Sequence, residues 1–563
     1  MKENKPVTNE AKGNFEGMSF SEALYSFMVI FSISVRAMNF LLLILKVFAV
    51  PNAPKNFYNL KKNSRRLVNS YKVDDKECTY LSIKSNLEYL VEKEAFPTGT
   101  EVDVKLKFNI DGLPLYRSSK ISAWPFLMQV VSNVCTFKKP LPIALYVGKG
   151  KPLLKPLVQK LSTELRSLMS SNFSYRNVVV NIKDVLFVCD APARAQLMEV
   201  KSHSGYNACH ICDIKGQYLN GSVSFPRETN CRKRLWSKYK RGEENNQLAI
   251  SPLTTICDFS SSFPPEYMHS VLLGTFKKFL SFLLFSKKDK RFSCKLRSCD
   301  VDHLNREITS IRKFVPHEFQ RKIRPFSDFE FFKATEFRQF LLYYCPYLFK
   351  GIVSPDVYES LICLHFAIFS LCSERSCDLL DVSLYCLNQF AILNEKLFGP
   401  QNQTYNSHMM HHLPEFIERY GTLDSFSSFP FESYLSIVKK RTKATNCIFQ
   451  QTVKNLLNIR NICSDFENND LILTTQCPNN CVLISGKVVL IDRVIQKNII
   501  SGKVLTFLRN LYTSPYPSSA HLIGFYKLSN EMVFEEVVDR KCICIVLDNE
   551  YLVFPFCSAT LGI

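Results

Sequence analysis

The feature that most constrains this chain is a strict alternation of apolar and polar residues that ends at an aspartate. Val104, Leu106, Phe108 and Ile110 are apolar, and polar residues separate them. A period of two is typical of a β-strand with one buried face. Asp111 therefore lies at the end of this strand, just before a Gly-Leu-Pro sequence that terminates the extended segment.

A second strong strand, predicted over residues 177–189, ends at Asp190 in the same way. Between the two lie extended segments near 118–134 and 142–147, then helical spacing over 155–170. The predicted order is strand, strand, strand, helix, strand. This order indicates an α/β core with a carboxylate after its first and fourth strands.

The remaining chain changes character several times. A Cys-x-x-Cys loop and a basic stretch open a long helical, aromatic-rich part, and hairpin patterns return after residue 471. We predict five segments: a helical N-terminal region with a disordered start (1–100), the first part of the core (101–200), a mainly helical insertion (201–400), the last core helices (401–465) and a small all-β domain (471–563).

The charge balance favours a polyanionic partner. The 563 residues include 71 Lys and Arg against 51 Asp and Glu, a net charge of +20, which suits nucleic acid or an anionic surface. Solvated helix faces are the alternative for any single basic cluster. The candidates for nucleic-acid contact form two groups: Arg232, Lys233, Arg234, Lys238 and Lys240 in the first, and Lys439, Lys440 and Arg441 in the second. Trp236 and Tyr239 lie within the first group, and aromatic residues among basic ones suit a nucleic-acid strand.

The cysteines and apolar runs favour a location inside the cell. The 21 cysteines form no disulfide framework, which favours reduced thiols inside the cell. Arg36 interrupts the apolar stretch between Ser19 and Pro51, so we expect buried helices there and no membrane span. Lys61-Lys62 and Arg65-Arg66 could form a nuclear localisation signal, a phosphate contact or a solvated helix end.

Three acidic residues are candidates for metal-dependent chemistry. Asp111 and Asp190 at neighbouring strand ends could hold divalent cations, although aspartates there are also common turn residues. A third carboxylate would complete a two-metal site for phosphoryl transfer. Glu432, among aromatic residues at a helix start, is a candidate, and it could equally interact with the helix dipole.

Cys209 and Cys212 supply half of a tetrahedral zinc site, and His408 and His412, four apart, could supply the other half. Spacing alone does not separate this site from two buried thiols and two ordinary histidines. If the site exists, the four ligand atoms should converge to within about 4–5 Å of each other. A closed structural Zn²⁺ would then join the two ends of the helical insertion.

In order along the chain, these segments resemble the transposases of the CACTA/EnSpm superfamily of DNA transposons. The resemblance runs from about Phe108 to Lys440. It rests on Asp111-Gly112-Leu113-Pro114, Cys189-Asp190-Ala191-Pro192-Ala193-Arg194, Gly205-Tyr206-x-x-Cys209-x-x-Cys212, Glu266-Tyr267-Met268-His269, Lys333-Ala334-Thr335-Glu336-Phe337-Arg338, His408-x-x-x-His412-Leu413 and Phe429-Pro430-Phe431-Glu432-x-Tyr434-Leu435.

The resemblance implies an RNase H-like catalytic core with a DDE triad of Asp111, Asp190 and Glu432 holding Mg²⁺ or Mn²⁺. It implies DNA cleavage and strand transfer in the nucleus, with transposon ends and target DNA as partners and a homo-oligomer as the working form. The cysteine and histidine pairs are similar to the zinc site of the related V(D)J recombinase catalytic subunit.

Two departures from the transposase pattern leave the function open, and a second acidic residue leaves the third carboxylate open. The family's Asp-x-x-His is Glu266-x-x-His269 here, and the N-terminus shows no zinc-finger spacing. A domesticated, catalytically silent DNA-binding relic is therefore the alternative function. Glu336 competes for the third carboxylate, but we assign it to packing or to a salt bridge with Arg338 or a neighbour.

Overall fold

The structure, a computed structural model, describes residues 19–30, 33–57, 71–73, 76–116, 121–150, 152–227, 231–285, 294–319, 321–442, 447–462, 472–496, 498–537 and 540–557. The predicted basic cluster Lys61–Arg66 lies outside these ranges.

A mixed sheet forms the centre of the first part of the chain. Its strands run in the spatial order β1-β2-β6-β5-β3-β8-β7, with β4 paired to β5. Strands β3 and β8 are parallel, and all other neighbours are antiparallel. The strands are β1 Tyr71–Val73, β2 Lys76–Tyr80, β3 Glu101–Ile110, β4 Leu113–Pro114, β5 Ile121–Val131, β6 Leu141–Lys149, β7 Phe173–Tyr175 and β8 Val178–Phe187.

The helices group into a region that flanks the sheet and a region that forms the insertion. In chain order they are α1 Phe20–Ile30, α2 Val35–Val47, α3 Ile83–Glu92, α4 Lys155–Ser171, α5 Ala191–Met198, α6 Trp236–Arg241, α7 Phe259–Ser262, α8 Lys277–Phe285, α9 Ser298–Ile311, α10 Ala334–Gln339, α11 Cys345–Leu348, α12 Pro355–Cys372, α13 Leu380–Phe398, α14 Tyr405–Met410, α15 Leu413–Tyr420, α16 Phe429–Arg441 and α17 Ile448–Ile462. Two π-helical segments, Met268–Phe276 and Phe340–Tyr344, lead into α8 and α11.

Helices cover both faces of the sheet because alternate strand residues form two separate cores. Leu106 and Phe108 of β3 pack in the core that contains residues of α3 and α4. On the opposite face, residues of β5 and β6 such as Leu127 and Leu145 pack with α16 and α17. The side chains of α16 are therefore fixed against the sheet.

Two strands lie in the segment that was predicted to be helical up to residue 100. Strand β2 pairs with the edge of β6, and β1 pairs with β2. Both strands are short, and the sequence between Tyr71 and Tyr80 is largely polar, so no clear alternation marks them. The prediction of a purely helical N-terminal region is thus wrong at residues 71–73 and 76–80.

The insertion is mainly helical and its core is rich in aromatic side chains. By length and composition, Met268–Phe285 and Pro355–Cys372 could each cross a membrane. However, 56% and 78% of these windows are buried inside the protein, as in core helices of globular proteins. A small hairpin, β9 Gln217–Leu219 with β10 Ser222–Ser224, interrupts the helical region.

The C-terminal part is a closed β-barrel, which confirms the predicted small all-β segment. Its strands follow the order β11-β12-β13-β14-β16-β15. They are β11 Cys481–Ile484, β12 Lys487–Val494, β13 Ile499–Asn510, β14 Gly524–Glu536, β15 Arg540–Leu547 and β16 Glu550–Pro555. Ser485 and Gly486 join the first two strands, both with positive φ (48° and 77°), as a two-residue hairpin turn requires. The chain is therefore mixed α/β with separate sheets.

Candidate functional site

Asp111 and Asp190 lie at the same edge of the central sheet. Strands β3 and β8 are parallel neighbours with Phe108 opposite Phe187, so both strands end at the same edge of the sheet. Asp190 then caps helix α5: its Oδ1 accepts the Ala193 amide at 2.8 Å. The capping fixes the Asp190 carboxylate while the helix N-terminus favours its negative charge.

Glu432 reaches the same edge from the helix that covers the sheet. It lies in the first turn of α16, and its neighbours Phe431, Tyr434 and Leu435 are buried against the sheet. These apolar contacts hold the helix start in place, while 40% of the Glu432 side chain remains exposed. The structure thus brings the three predicted acids together, and we refer to Asp111, Asp190 and Glu432 as the carboxylate cluster.

The charges of Asp190 and Glu432 act on Asp111. Burial, the charges of Asp190 and Glu432, and a hydrogen bond with Glu432 raise the pKa of Asp111 to about 8. Like charges in a buried site disfavour each other's ionised forms. A cation bound between these acids would relieve this repulsion.

Glu266 and His269, whose role the sequence left open, adjoin the carboxylate cluster. Glu266 is buried, and its Oε2 accepts the His269 ring Nδ1 and the His269 amide, both at 2.8 Å. Its Oε1 accepts the amides of Met268 at 3.1 Å and Ser428 at 2.9 Å. The other ring nitrogen of His269 lies 4.0 Å from Glu432 Oε1. Glu266 therefore holds both His269 and the start of the Glu432 helix.

A pocket of about 190 Å³ opens beside this group. Asp190, Arg194, Glu266 and His269 are among its lining residues. The buried Arg194 donates to the Tyr405 hydroxyl at 2.8 Å. Tyr405 begins α14, so this hydrogen bond connects the Asp190 helix to the helix that carries His408.

The predicted cysteine and histidine ligands converge as expected. All four ligand atoms of the Cys/His cluster, Cys209, Cys212, His408 and His412, lie within 4.8 Å of one another. The two sulfurs are 3.6 Å apart, the two Nε2 atoms 3.2 Å apart, and the Sγ–Nε2 distances are 3.4 Å for Cys212–His408 and 3.6 Å for Cys209–His412.

These distances match a single tetrahedral ion. Bonds of about 2.3 Å to sulfur and about 2.0–2.1 Å to nitrogen separate two sulfurs by about 3.8 Å, two nitrogens by about 3.3 Å and mixed pairs by about 3.5 Å. The ring Nδ1 of His412 also lies 3.4 Å from Glu415 Oε1. A carboxylate on the second ring nitrogen is typical of metal-bound histidine.

Arg234 supports this cluster and does not face nucleic acid. Its side chain is 1% exposed, forms a 2.7 Å ion pair with Glu244, and donates to the Cys209 carbonyl at 2.8 Å. The cause is a β-bridge between Cys212 and Lys233, which turns Arg234 inward. The prediction of a nucleic-acid contact at Arg234 is therefore wrong.

The other predicted basic contacts differ in exposure. Lys439 and Lys440 are exposed in the last turn of α16, and Arg441 beside them is partly buried. Tyr239 is fully buried and the Trp236 ring is covered by the Lys240 ammonium at 3.6 Å, so these aromatic residues do not form an open stacking surface. The exposed basic residues of the first group are Arg232, Lys233, Lys238 and Lys240, and Lys233 also pairs with Glu415 at 2.6 Å.

Glu336, the competing acid, has a structural partner. It is buried and forms two hydrogen bonds of 2.7 Å with Arg324. Arg338, which the sequence offered as a partner, instead pairs with Asp424 at 2.7 Å. Glu336 is therefore held in a bidentate ion pair, consistent with the packing role assigned to it.

A second group of potential ligands, missed in the sequence, joins Cys372, Asp424 and Cys557 within 4.8 Å. The guanidinium of Arg338 lies 2.7 Å from Asp424 and 3.3 Å from Cys557 Sγ. It supplies the positive charge that a metal would otherwise bring. These contacts connect the residues after β16 to the helical insertion.

Comparison with protein-family models gave no match, and comparison with curated proteins gave no significant match.

Proposed function

We propose that this protein is a transposase-like enzyme that cleaves DNA and transfers strands through a DDE-type, metal-dependent site on an RNase H-like core. The observation that carries the proposal is the carboxylate cluster. Its acids come from two neighbouring parallel strands and a covering helix, and they are close enough to raise the pKa of Asp111. Strands β3, β5 and β6, helix α4 and strand β8 precede Asp190 in this chain order, with the short strands β4 and β7 among them.

The donor atoms fit the metals that this activity requires. Carboxylate oxygens are the ligands that Mg²⁺ and Mn²⁺ prefer, and two thiolates with two imidazoles suit Zn²⁺. In the carboxylate cluster, bound Mg²⁺ would activate the attacking oxygen and stabilise the leaving oxygen of a phosphodiester. In the Cys/His cluster, four protein ligands leave no open position, so Zn²⁺ there would be structural.

The chain's own residues position this chemistry. The Ala193 amide orients Asp190, and Glu266 fixes both His269 and the Ser428 amide at the start of α16. His269 Nε2 lies 4.0 Å from the Glu432 carboxylate, too far for a hydrogen bond, and could donate to a phosphate oxygen bound between them. Geometry held by backbone amides needs no rearrangement when the substrate binds.

DNA is the substrate that the charge distribution favours. The net charge is +20, and Lys439 and Lys440 are exposed on the helix that carries Glu432. Contacts from lysine and arginine to phosphates release counterions, so binding should weaken steeply as salt rises. Nuclear location and a homo-oligomeric working form complete the proposal.

The test is a nicking and strand-transfer assay with Mg²⁺ or Mn²⁺ on DNA carrying the terminal repeats that flank the gene. Asp190→Asn is the sharpest variant because asparagine caps helices about as well as aspartate. It should keep the fold and DNA binding but lose cleavage. Equal cleavage by the wild type and Asp190→Asn would refute the enzymatic function.

A DNA-binding relic without catalysis is the second candidate, since the net charge of +20 supports DNA binding whether or not cleavage occurs. It predicts salt-sensitive DNA binding, measured by gel retardation, together with no metal-dependent cleavage by the wild-type protein.

A further inference from the structure

A pocket of about 400 Å³ lies on the sheet face that α16 covers, toward the N-terminal half of β3. Its ionisable lining residues are Lys105, Lys107, Lys183 and Asp103, and Tyr420 and Ser425 contribute to its wall. Three ammonium groups against one carboxylate make the pocket positive. Lys107 is four residues before Asp111, about 13 Å along a strand at 3.3 Å per residue, so the pocket is separate from the carboxylate cluster.

Lys107 is the unusual member of this group. It is only 4% exposed, and its Nζ donates to the Ser425 carbonyl at 3.0 Å and lies 5.5 Å from the centre of the Phe431 ring. Among the described residues, no carboxylate forms an ion pair with it, and burial lowers the pKa of Lys107 to about 8. A buried charge without a counter-ion is unfavourable, and an ammonium has three donors to satisfy.

The neighbouring lysines reach the same space. Lys105 donates to the Arg419 carbonyl at 2.9 Å and lies 5.5 Å from the centre of the Tyr420 ring, and no carboxylate of the described residues forms an ion pair with it. Lys183 lies 3.4 Å from Asp103 at the exposed rim, where 57% of the lysine side chain is accessible. The inner part of the pocket therefore offers ammonium donors without a matching anion from the protein.

We propose that this pocket, centred on Lys107, binds a phosphate group. Lysine binds phosphate as a point charge, and an anion would supply the counter-charge that Lys107 lacks. The phosphate could be free or part of a nucleic-acid backbone, since both present the same oxygens. Binding here does not depend on the cleavage activity proposed above.

The experiment measures binding to the full chain by calorimetry, with inorganic phosphate in one arm and a single-stranded oligonucleotide without terminal phosphate in the other. The variant is Lys107→Met, because methionine fills the buried site without a charge. The control is Lys278→Met, which removes another partly buried lysine, one that lies 5.7 Å from the Phe282 ring and outside the pocket.

We expect Lys107→Met to lose at least about tenfold in affinity in one arm or both, and Lys278→Met to lose none. Loss in the phosphate arm alone would identify free phosphate, and loss in the oligonucleotide arm alone a backbone phosphate. If Lys107→Met binds both probes as tightly as the wild type, or the wild type binds neither at millimolar concentration, the proposal is wrong.

A second measurement on the wild type covers the case in which the variant misfolds. Lysines labelled biosynthetically with ¹³C at Cε report their own titration by NMR without modification of the amine. Saturating probe should raise the pKa of Lys107 from about 8, because a bound anion favours the charged form. An unchanged titration of Lys107 at saturating concentrations of both probes would overturn the proposal.

Discussion

The carboxylate cluster and the Cys/His cluster differ in charge, in exposure and in how complete their donor sets are. The carboxylate cluster is crowded with like charges, adjoins an open pocket and leaves 40% of Glu432 exposed. The Cys/His cluster has two buried cysteines, a complete tetrahedral donor set and one supporting carboxylate, Glu415. The first arrangement suits a reacting substrate, and the second suits a permanent structural ion.

The contrast also shows how one cluster depends on the other. His412 immediately precedes α15, and the chain continues from there to Ser428 and α16. The cysteine pair is linked to the other end of the carboxylate cluster, because Cys209 lies 19 residues after Asp190 (209 − 190). An ion that joins these segments would hold Asp190 and Glu432 in position relative to each other. Loss of the Cys/His cluster should therefore also disturb the carboxylate cluster.

The largest effect should come from Glu432→Gln. We expect cleavage to fall at least about a hundredfold, since metal stabilisation of the transition state supplies several kcal/mol, and thermal stability to change little. The matched control is Glu336→Gln, which breaks the buried pair with Arg324 and should lower stability while retaining cleavage by the folded fraction. The reverse result would make Glu336 the third acid.

Cys209→Ser should affect both clusters. Without its thiolate the zinc affinity falls, and the stability linked to metal binding is lost, a change of several kcal/mol in unfolding free energy. Metal analysis should give one zinc per wild-type chain and much less in the variant, with a lower melting temperature and weaker cleavage. Full zinc content in Cys209→Ser would contradict the proposed ligand set.

Glu266→Gln should have an intermediate effect on the carboxylate cluster alone. The glutamine keeps one acceptor oxygen, but its NH₂ group would face donors among Met268, His269 and Ser428. Lost hydrogen bonds to a buried acid cost about 1–3 kcal/mol. Denaturant unfolding should show this decrease while zinc content stays at one per chain. Loss of zinc on this substitution would show that the two clusters are not separable.

The last effect concerns pH and lies outside both clusters. Burial lowers the pKa of Lys107 from 10.5 to about 8, so its charged form destabilises the folded state. This destabilisation is full below about pH 8 and disappears as pH rises through 10.5. Lys107→Met should therefore be more stable than the wild type by up to about 3 kcal/mol at pH 7, and this advantage should shrink toward pH 10.5.

The measurement is denaturant unfolding of both proteins across pH 7–10.5 in phosphate-free buffer, so that effects of other titrating groups cancel in the difference. Lys278→Met, at a less buried lysine, should show a smaller advantage. A Lys107→Met protein that is less stable than the wild type at every pH would mean that the Ser425 contact outweighs the cost of burial.

Much of the carboxylate cluster could be predicted because it depends on local patterns. Alternation over β3 and the apolar run of β8 located Asp111 and Asp190 at strand ends, and parallel pairing brings such ends together. Ligand types and spacing likewise made the Cys/His cluster a candidate, but they did not separate it from two buried thiols and two ordinary histidines. The family resemblance was needed to favour both clusters over these alternatives.

Other features could not be predicted because they depend on contacts between distant segments. The role of Glu266 requires the Ser428 amide, 162 residues away. Arg234 belongs to a basic run, and only its bridge to the Cys-x-x-Cys loop turns it inward. Lys107 lies on the polar face of β3 by alternation, yet residues 425–431 cover that face.

The most direct test of this division of roles measures zinc and cleavage in one sample of wild-type protein. The sample is transferred by gel filtration into buffer without divalent metal, then assayed before and after Mg²⁺ is added. We predict one zinc per chain throughout, no cleavage before Mg²⁺ and cleavage after it. Cleavage without added metal, or full Mg²⁺-dependent cleavage by a protein without zinc, would contradict the account.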